Sequence, residues 1–181
     1  MDRPTDKETF EHRFGESFDQ LRQDTIEWFK TLDSVIAMPF ISGGKKFGYP
    51  SIPLVLANAA FFAGALADIQ DFIPADELED NFEPKGIMYV APPFRHTYCH
   101  GKQVVVHNRE EGLHEVFSYN LYPGPSAKKG VYSILLDFAE KEGWNTLHAS
   151  TVQVTTPYEN TYTIMHEGAS GGGKSEIGGK R

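Results

Sequence analysis

Cysteines, an apolar signal-peptide segment and blocks of basic residues are scarce or absent in this sequence. One cysteine among 181 residues, Cys99, excludes an internal disulfide and fits a reducing cytosol. The charged amino terminus has no apolar signal-peptide core. There is no large basic block and the formal net charge is -8, which argues against a nucleic-acid backbone as the partner. We therefore expect a cytoplasmic protein that does not bind nucleic acid.

Long hydrophobic runs are also missing. Residues 51–67 carry no charge, but this run is short for a membrane span and contains Pro53, Asn58 and Gly64. We expect a buried core helix at about 53–70 and no contact with a membrane. With 40% hydrophobic and 13% aromatic residues, the composition is that of a globular protein.

The order of apolar patterns predicts an α/β fold, a mixed sheet with flanking helices. Large apolar residues at helical spacing predict an amphipathic helix over 7–32. A Pro/Gly turn at 123–125 precedes a helix predicted over 127–142. Runs of β-branched and aromatic residues predict strands at 85–91, 102–107, 113–119, 146–155 and 160–166.

The clearest positive feature is a phosphate-binding loop signature. Residues 168–175 read Gly168-Ala169-Ser170-Gly171-Gly172-Gly173-Lys174-Ser175, which fits the pattern G-x-x-x-x-G-K-[ST]. In such a loop the backbone N–H groups surround nucleotide phosphates, the lysine reaches the β- and γ-phosphates, and the hydroxyl binds Mg²⁺. The strand predicted at 160–166 leads directly into the glycines, as this motif requires. The pattern predicts binding of ATP or another nucleoside triphosphate, and the alternative is a flexible glycine-rich tail.

The loop should open a helix, but the six residues after Ser175 include two glycines and will not sustain one. We therefore expect this chain to be a fragment truncated just after the loop, without turnover of its own. The organisation predicted is one partial domain over 1–181. Its mainly helical part, 1–75, precedes a strand-rich part, 85–167, and then the loop.

A second group of residues precedes the loop. Tyr122 stands before the Pro/Gly turn, followed by Lys128-Lys129-Gly130 and later by His148-Ala149-Ser150. Phosphoenolpyruvate carboxykinases of the ATP-using kind carry similar motifs in this order, so residues 122–177 resemble them. The whole chain also resembles an uncharacterised bacterial family, a domain of unknown function related to those carboxykinases. That second resemblance is closest in VAPPFRHTYCHGKQVVVHNREEGLHEVFSYNLYPGPSAKKGVY.

The resemblance implies a carboxykinase-like fold and roles for individual residues in metal and nucleotide binding. Lys129 and His148 match ligands of an active-site Mn²⁺. Ser175 matches the ligand of the nucleotide's Mg²⁺, and Lys174 matches the lysine that holds the phosphates. A lysine ligates a metal only as the neutral amine, and an adjacent ammonium favours that form by like-charge repulsion.

The resemblance also implies residues on the substrate side. Lys128 would act as an electrostatic lysine, so that Lys128, Lys129 and Lys174 form the catalytic group. Tyr122 is a weaker candidate for the substrate pocket. Independently of the resemblance, Arg95 and Arg109 are candidates because guanidinium groups bind carboxylates through two hydrogen bonds.

The implied parent protein would use a nucleoside triphosphate and divalent metal to decarboxylate and phosphorylate a small carboxylic acid. Two alternatives stay open: a phosphate-loop kinase with another acceptor, and a non-catalytic domain that binds only phosphate or an assembly partner. The acidic second-metal ligand and the adenine site of the carboxykinases have no counterpart up to Arg181.

A group of possible zinc ligands lies within nineteen residues: His96, Cys99, His100, His107 and His114. His96 and His100 have the spacing of ligands on a helix. However, Pro92, Pro93 and Gly101 argue against a helix here. We expect a loop leading into a strand, with these side chains scattered.

Overall fold

The computed structural model describes residues 6–43, 48–56, 60–68, 70–91, 98–121, 123–147, 149–168 and 172–173. These residues form four α-helices and nine strands. The chain divides into two compact units, one ending at Phe138 and the other starting at Ala139. The expectation of a single continuous domain stays a prediction.

A mixed seven-stranded sheet forms the centre of the first unit. Its strands are β1 (Val35–Ala37), β2 (Phe40–Ser42), β3 (Tyr49–Leu56), β4 (Asp71–Phe72), β5 (Gly86–Ala91), β6 (Val104–Arg109) and β7 (His114–Tyr119). The order is β4-β2-β3-β5-β7-β6, with β1 also paired to β3. β3, β5 and β7 are parallel neighbours, and the other pairs are antiparallel. The strands predicted at 85–91, 102–107 and 113–119 are therefore confirmed, as is the mixed sheet.

Helices cover both faces of this sheet. They are α1 (Asp6–Phe14), α2 (Phe18–Lys30), α3 (Ala60–Ala67) and α4 (Pro123–Lys141). One core contains α1 and α2 residues such as Phe18, which meets Phe117 of β7 edge to face. The other contains residues of α3 and α4 with Met88 and Val116 of the sheet. Alternating strand residues point into the two cores, so the central strands are buried on both sides.

The helix predicted over 7–32 is two helices. Gly15 adopts φ 69°, a left-handed conformation that glycine tolerates, and its N–H bonds to the Glu11 carbonyl at the end of α1. The Glu11 side chain then accepts a hydrogen bond of 3.0 Å from the N–H of Phe18, the first residue of α2. One carboxylate thus links the end of one helix to the start of the next.

The buried helix predicted at about 53–70 is wrong in its first part, where β3 continues to Leu56 and α3 begins only at Ala60. Pro53 is compatible with this strand because it lies between Ser51, paired with β2, and Leu54, paired with β1. The backbone N–H that Pro53 lacks therefore falls where the antiparallel partner of β3 changes from β2 to β1. The part predicted to be mainly helical, 1–75, also contains β1 to β4.

The predicted turn at 123–125 belongs instead to α4, which begins at Pro123. Proline is compatible with a first helical turn, where the N–H has no partner within the helix. The helix predicted over 127–142 is therefore confirmed with an earlier start.

The second unit contains an antiparallel hairpin of β8 (Ala149–Thr155) and β9 (Thr161–Glu167). A tight turn joins the strands, with Glu159 at φ 63° and the Thr156 N–H bonded to the Asn160 carbonyl. Both strands match those predicted at 146–155 and 160–166. Across the described residues of both units, no helix combines the length and apolarity needed to cross a membrane.

Candidate functional site

The strand before the phosphate-loop signature is present. β9 ends at Glu167, so Gly168 follows it immediately. Gly173, the second fixed glycine of the signature, adopts φ 78°, which would strain any residue with a Cβ. Gly168 and Gly172 are also described, whereas Ala169, Ser170, Gly171, Lys174 and Ser175 lie outside the described residues.

The hairpin that carries this loop is exposed on both faces. Val152 pairs with Ile164 and Val154 with Tyr162 on one face, where Tyr162 is 56% exposed. Met165, on the other face, is 52% exposed. The strand leading into the loop thus has one partner strand in the described structure rather than a place inside a buried sheet.

Lys128 and Lys129 lie on the solvent side of α4. Both side chains are exposed, and Ser133 Oγ donates a 2.9 Å hydrogen bond to the Lys129 carbonyl. The next two residues, Gly130 and Val131, are buried. Successive helical positions are about 100° apart, so burial of these two residues leaves the lysine pair facing water.

Gly130 brings α4 close to the sheet. A Cβ placed on it would lie 2.9 Å from Met88 Cε and 3.4 Å from Val116 Cγ1. A side chain at position 130 would therefore need Met88 to move. Gly130 thus lies on the side of α4 that also buries Val131, Ile134 and Phe138, and Lys128 and Lys129 lie outside that side.

Tyr122, Arg95 and His148 lie outside the described residues. In sequence, Arg95 follows the end of β5 and Tyr122 follows the end of β7. The last residues of those strands, Ala91 and Tyr119, are register partners, and the Asn120 N–H bonds to the Ala91 carbonyl. The two strands therefore end at the same edge of the sheet, and open α/β sheets bind ligands at this kind of edge.

The predicted metal ligands are only partly described. Lys129 is exposed on the first unit, while His148 and Ser175 lie outside the described residues. Within the described ranges, no three or more His, Cys, Asp or Glu side chains form a group that could hold a metal ion. An exposed Lys129 is compatible with a ligand role, which stays a prediction.

Two of the five possible zinc ligands are in contact. His107 Nδ1 lies 2.9 Å from His114 Nε2. Cys99 is buried in the core on the opposite face of the sheet, against α1 and α2, and burial raises the pKa of its thiol to about 11, with the neighbouring Glu16 carboxylate adding to the shift. His96 lies outside the described residues. The sheet thus separates Cys99 from the histidine pair, so the described residues give no support to a shared zinc site.

Sequence reasoning missed a buried carboxylate, Glu115 of β7. Its side chain is 2% exposed and accepts hydrogen bonds from Arg22 Nε at 2.8 Å and Arg22 Nη2 at 3.1 Å. Asn108 Nδ2 donates to it at 2.8 Å and the Tyr89 hydroxyl at 3.3 Å. The hydrogen bond to Glu115 raises the pKa of Arg22. Burial, followed by the Glu115 charge, raises the pKa of Tyr89 to about 12.

The signal for this cluster was present in the strand pattern. Glu115 alternates with Phe117 and Tyr119 on the face of β7 that meets α1 and α2. A carboxylate at such a position needs a cationic partner. The pattern does not reveal which of the distant basic residues supplies it.

Similarity to known proteins covers the whole chain. A family profile described as a domain of unknown function, DUF4914, matches residues 1–180. The chain belongs to this family. No match was found among curated proteins or among solved structures. Family membership agrees with the resemblance to a domain of unknown function, and the relation to carboxykinases stays a prediction.

Proposed function

We propose that this protein binds the β- and γ-phosphates of a nucleoside triphosphate with residues 168–175. The observation that carries the proposal is the G-x-x-x-x-G-K-[ST] signature starting at the residue after β9. The left-handed φ of Gly173 adds support, because close approach of backbone N–H groups to phosphate depends on such glycines.

The residue types of the loop suit this ligand. Backbone N–H groups donate to phosphate oxygens, and the Lys174 ammonium neutralises the β- and γ-phosphates. The Ser175 hydroxyl is the ligand for the nucleotide's Mg²⁺. Bound Mg²⁺ supplies neutralisation of the charge that develops during phosphoryl transfer.

The resemblance to carboxykinases extends the proposal to a reaction. In that extension Lys129 and His148 hold Mn²⁺, which supplies charge stabilisation for an enolate oxygen of a small carboxylic acid. Lys128 adds positive charge beside this site, and Tyr122 and Arg95 bind the substrate. The support is the exposure of Lys128 and Lys129 on α4 and the common edge at which β5 and β7 end.

Isothermal titration calorimetry of the purified protein with ATP in the presence of Mg²⁺ tests nucleotide binding. Lys174→Ala removes a charge-assisted contact, so we expect its affinity to fall roughly 10- to 100-fold. Lys180→Ala is the matched control, because it removes the same charge from the same segment outside the signature, and it should bind like the unchanged protein. Equal losses in both variants, or no binding by the unchanged protein at millimolar ATP, would contradict the proposal.

A second titration, with Mn²⁺ alone, tests the extension. Lys129→Ala should weaken Mn²⁺ binding, while Lys141→Ala on the same helix should leave it unchanged. If Lys129→Ala binds Mn²⁺ normally but Lys174→Ala loses ATP, the phosphate site stands and the carboxykinase-like metal site does not.

A further inference from the structure

The β8–β9 hairpin of the second unit leaves one side of β8 without a partner strand. Across the described residues, β8 pairs with β9 alone, in an antiparallel register that runs without a break from Ala149–Glu167 to Thr155–Thr161. A strand edge of this kind presents a row of backbone N–H and C=O groups that another strand can bind. We call this side the free edge of β8.

The turn of the hairpin determines which backbone groups point to the free edge. The Thr156 N–H donates to the Asn160 carbonyl at 2.9 Å, so these two residues form a hydrogen-bonded pair. Along an antiparallel ladder, hydrogen-bonded pairs alternate with pairs that are not hydrogen-bonded. Val152 and Val154 therefore bond to β9. The backbone groups that point to the free edge belong to the odd-numbered residues Ala149, Thr151, Gln153 and Thr155.

The free edge lacks the features that commonly keep strands apart. Such features are a charged side chain, especially lysine, a proline or a bulge. β8 reads ASTVQVT, with no charge and no proline, and its register with β9 contains no bulge. In contrast β6, at the edge of the large sheet, carries the exposed Arg109. Two copies with a formal net charge of -8 repel one another, so contact between copies is favoured at an uncharged strand such as β8.

The side chains of the hairpin form one apolar face and one mainly polar face. On the apolar face Val152 pairs with Ile164 and Val154 pairs with Tyr162. The side chains of Val154, Ile164 and Tyr162 are 40%, 44% and 56% exposed. The opposite face carries mainly threonine and glutamine, with Met165 as its large apolar residue. A strand that extends this sheet should therefore alternate apolar and uncharged polar residues, and β8 itself has this alternation.

We propose that β8 is a dimerisation strand, which pairs antiparallel with β8 of a second copy about a two-fold axis at Val152. In this register Thr151 of one copy lies opposite Gln153 of the other, and Ala149 lies opposite Thr155. The backbone groups of these residues point to the free edge, so each pair exchanges hydrogen bonds. A shifted axis would leave residues at the ends of the two strands unpaired.

The same axis matches the side chains of the two copies. Val152 meets Val152 of the second copy in a non-hydrogen-bonded pair, where Cα atoms are about 4.5 Å apart and side chains touch. Even-numbered residues lie opposite even-numbered ones, so both apolar faces lie on one side of a four-stranded sheet. No like charges lie opposite each other, because β8 has none. This self-complementarity is what a two-fold interface requires, and it favours a second copy over an unrelated strand.

The pairing also gives the hairpin a source of stability. A two-stranded hairpin is marginally stable in water, whereas a larger sheet with an apolar face is stable. β9 stays on the outside of the four-stranded sheet, so the pairing leaves Gly168 and the signature after it uncovered. The inference is therefore independent of the proposed nucleotide binding.

Sedimentation velocity of the full chain at rising concentration tests for the dimer. We expect the mass to rise from one chain to two between about 1 µM and 1 mM, a range that spans weak association. Gln153→Pro removes an N–H at the free edge from both copies, so the dissociation constant should rise at least about tenfold. Thr163→Pro is the matched control, because Thr163 is the register partner of Gln153 and its N–H points to the outer side of β9. A single-chain mass at every concentration, growth beyond two chains, or equal weakening by both variants would overturn the proposal.

Disulfide formation tests the register. Val152→Cys places two thiols across the axis at a separation suited to a disulfide, so mild oxidation should give a covalent dimer. Ile164→Cys is the control, because Ile164 lies beside Val152 on the same face but three strand spacings, roughly 14 Å, from its counterpart. Its cross-linking should be at least about tenfold slower. Cys99 is buried, and the unchanged protein measures its background. Equal rates for the two variants would show that the copies do not pair through β8.

Discussion

The large sheet of the first unit and the hairpin of the second are built from similar residues but differ in burial. All six residues of β7 are buried, with helices packed on both faces. In β9, six of the seven residues are exposed and the remaining one is half-buried. The sheet contains the buried cluster around Glu115, and the hairpin leads directly into the phosphate-loop signature.

Under the proposed phosphate binding at residues 168–175, this difference would separate the residues that stabilise the fold from those that bind the ligand. A strand buried on both faces derives its stability from packing, whereas an isolated two-stranded hairpin is marginally stable in water. Segments that bind ligands are commonly of low local stability, because they must rearrange around the ligand. Substitutions in the sheet should therefore change folding, and substitutions at the hairpin loop should change binding.

Aromatic truncation should show the largest contrast between the regions. Phe117→Ala removes a fully buried ring and should lower the free energy of unfolding by about 3–5 kcal/mol. Tyr162→Ala, at a position 56% exposed in the hairpin, should cost less than about 1 kcal/mol. Denaturant unfolding measures both, and equal losses would show that the hairpin is packed as tightly as the sheet.

The buried carboxylate should give the next largest effect. Arg22→Ala leaves the Glu115 charge without its cation, which costs about 3–5 kcal/mol in a fully buried pair. Because the Arg22 side chain is 41% exposed, water offsets part of this cost and we expect about 2 kcal/mol. Lys30→Ala, an exposed position on the same helix, should be within about 0.5 kcal/mol of the unchanged protein. If Arg22→Ala left the free energy of unfolding unchanged, water would have to reach Glu115.

The third effect should be seen only in alkali. The pKa of Tyr89 is raised to about 12, against about 10 in an unfolded chain. The unfolded state therefore releases this proton first, so the associated stability is present below about pH 10 and is lost as the pH rises towards 12. Tyr89→Phe should lose less stability over this range than the unchanged protein does. Tyr158→Phe, at a position 86% exposed, should behave like the unchanged protein. Identical dependence of unfolding stability on pH in all three proteins would contradict the raised pKa of Tyr89.

Sequence patterns predicted the helices and strands whose apolar residues recur at a regular spacing within the element itself. β5, β7 and α4 follow from strand and helix periods and from the glycines and prolines beside them. The stretch 51–67 is uncharged and mostly apolar, so it has no period that separates a buried strand from a buried helix, and the sequence did not predict β3. The break at Gly15 depends on a single left-handed residue inside an otherwise continuous helical pattern.

The side-chain clusters depend on contacts between residues far apart in the sequence, so local sequence patterns could not predict them. Glu115 meets Arg22 from 93 positions away, and His114 of β7 meets Asp137 of α4 through the packing of that helix on the sheet. The phosphate-loop signature is the opposite case. Its eight positions are contiguous, so the sequence alone suffices to propose the ligand, and binding has to be measured.

Hydrogen–deuterium exchange with and without Mg²⁺ and ATP tests the phosphate-binding proposal most directly. We predict slower exchange at the backbone amides of residues 168–175 with ATP, no such change with AMP, and unchanged exchange in β7. Protection that is absent from residues 168–175, or that is the same with AMP as with ATP, would contradict the assignment of this loop to nucleotide phosphates.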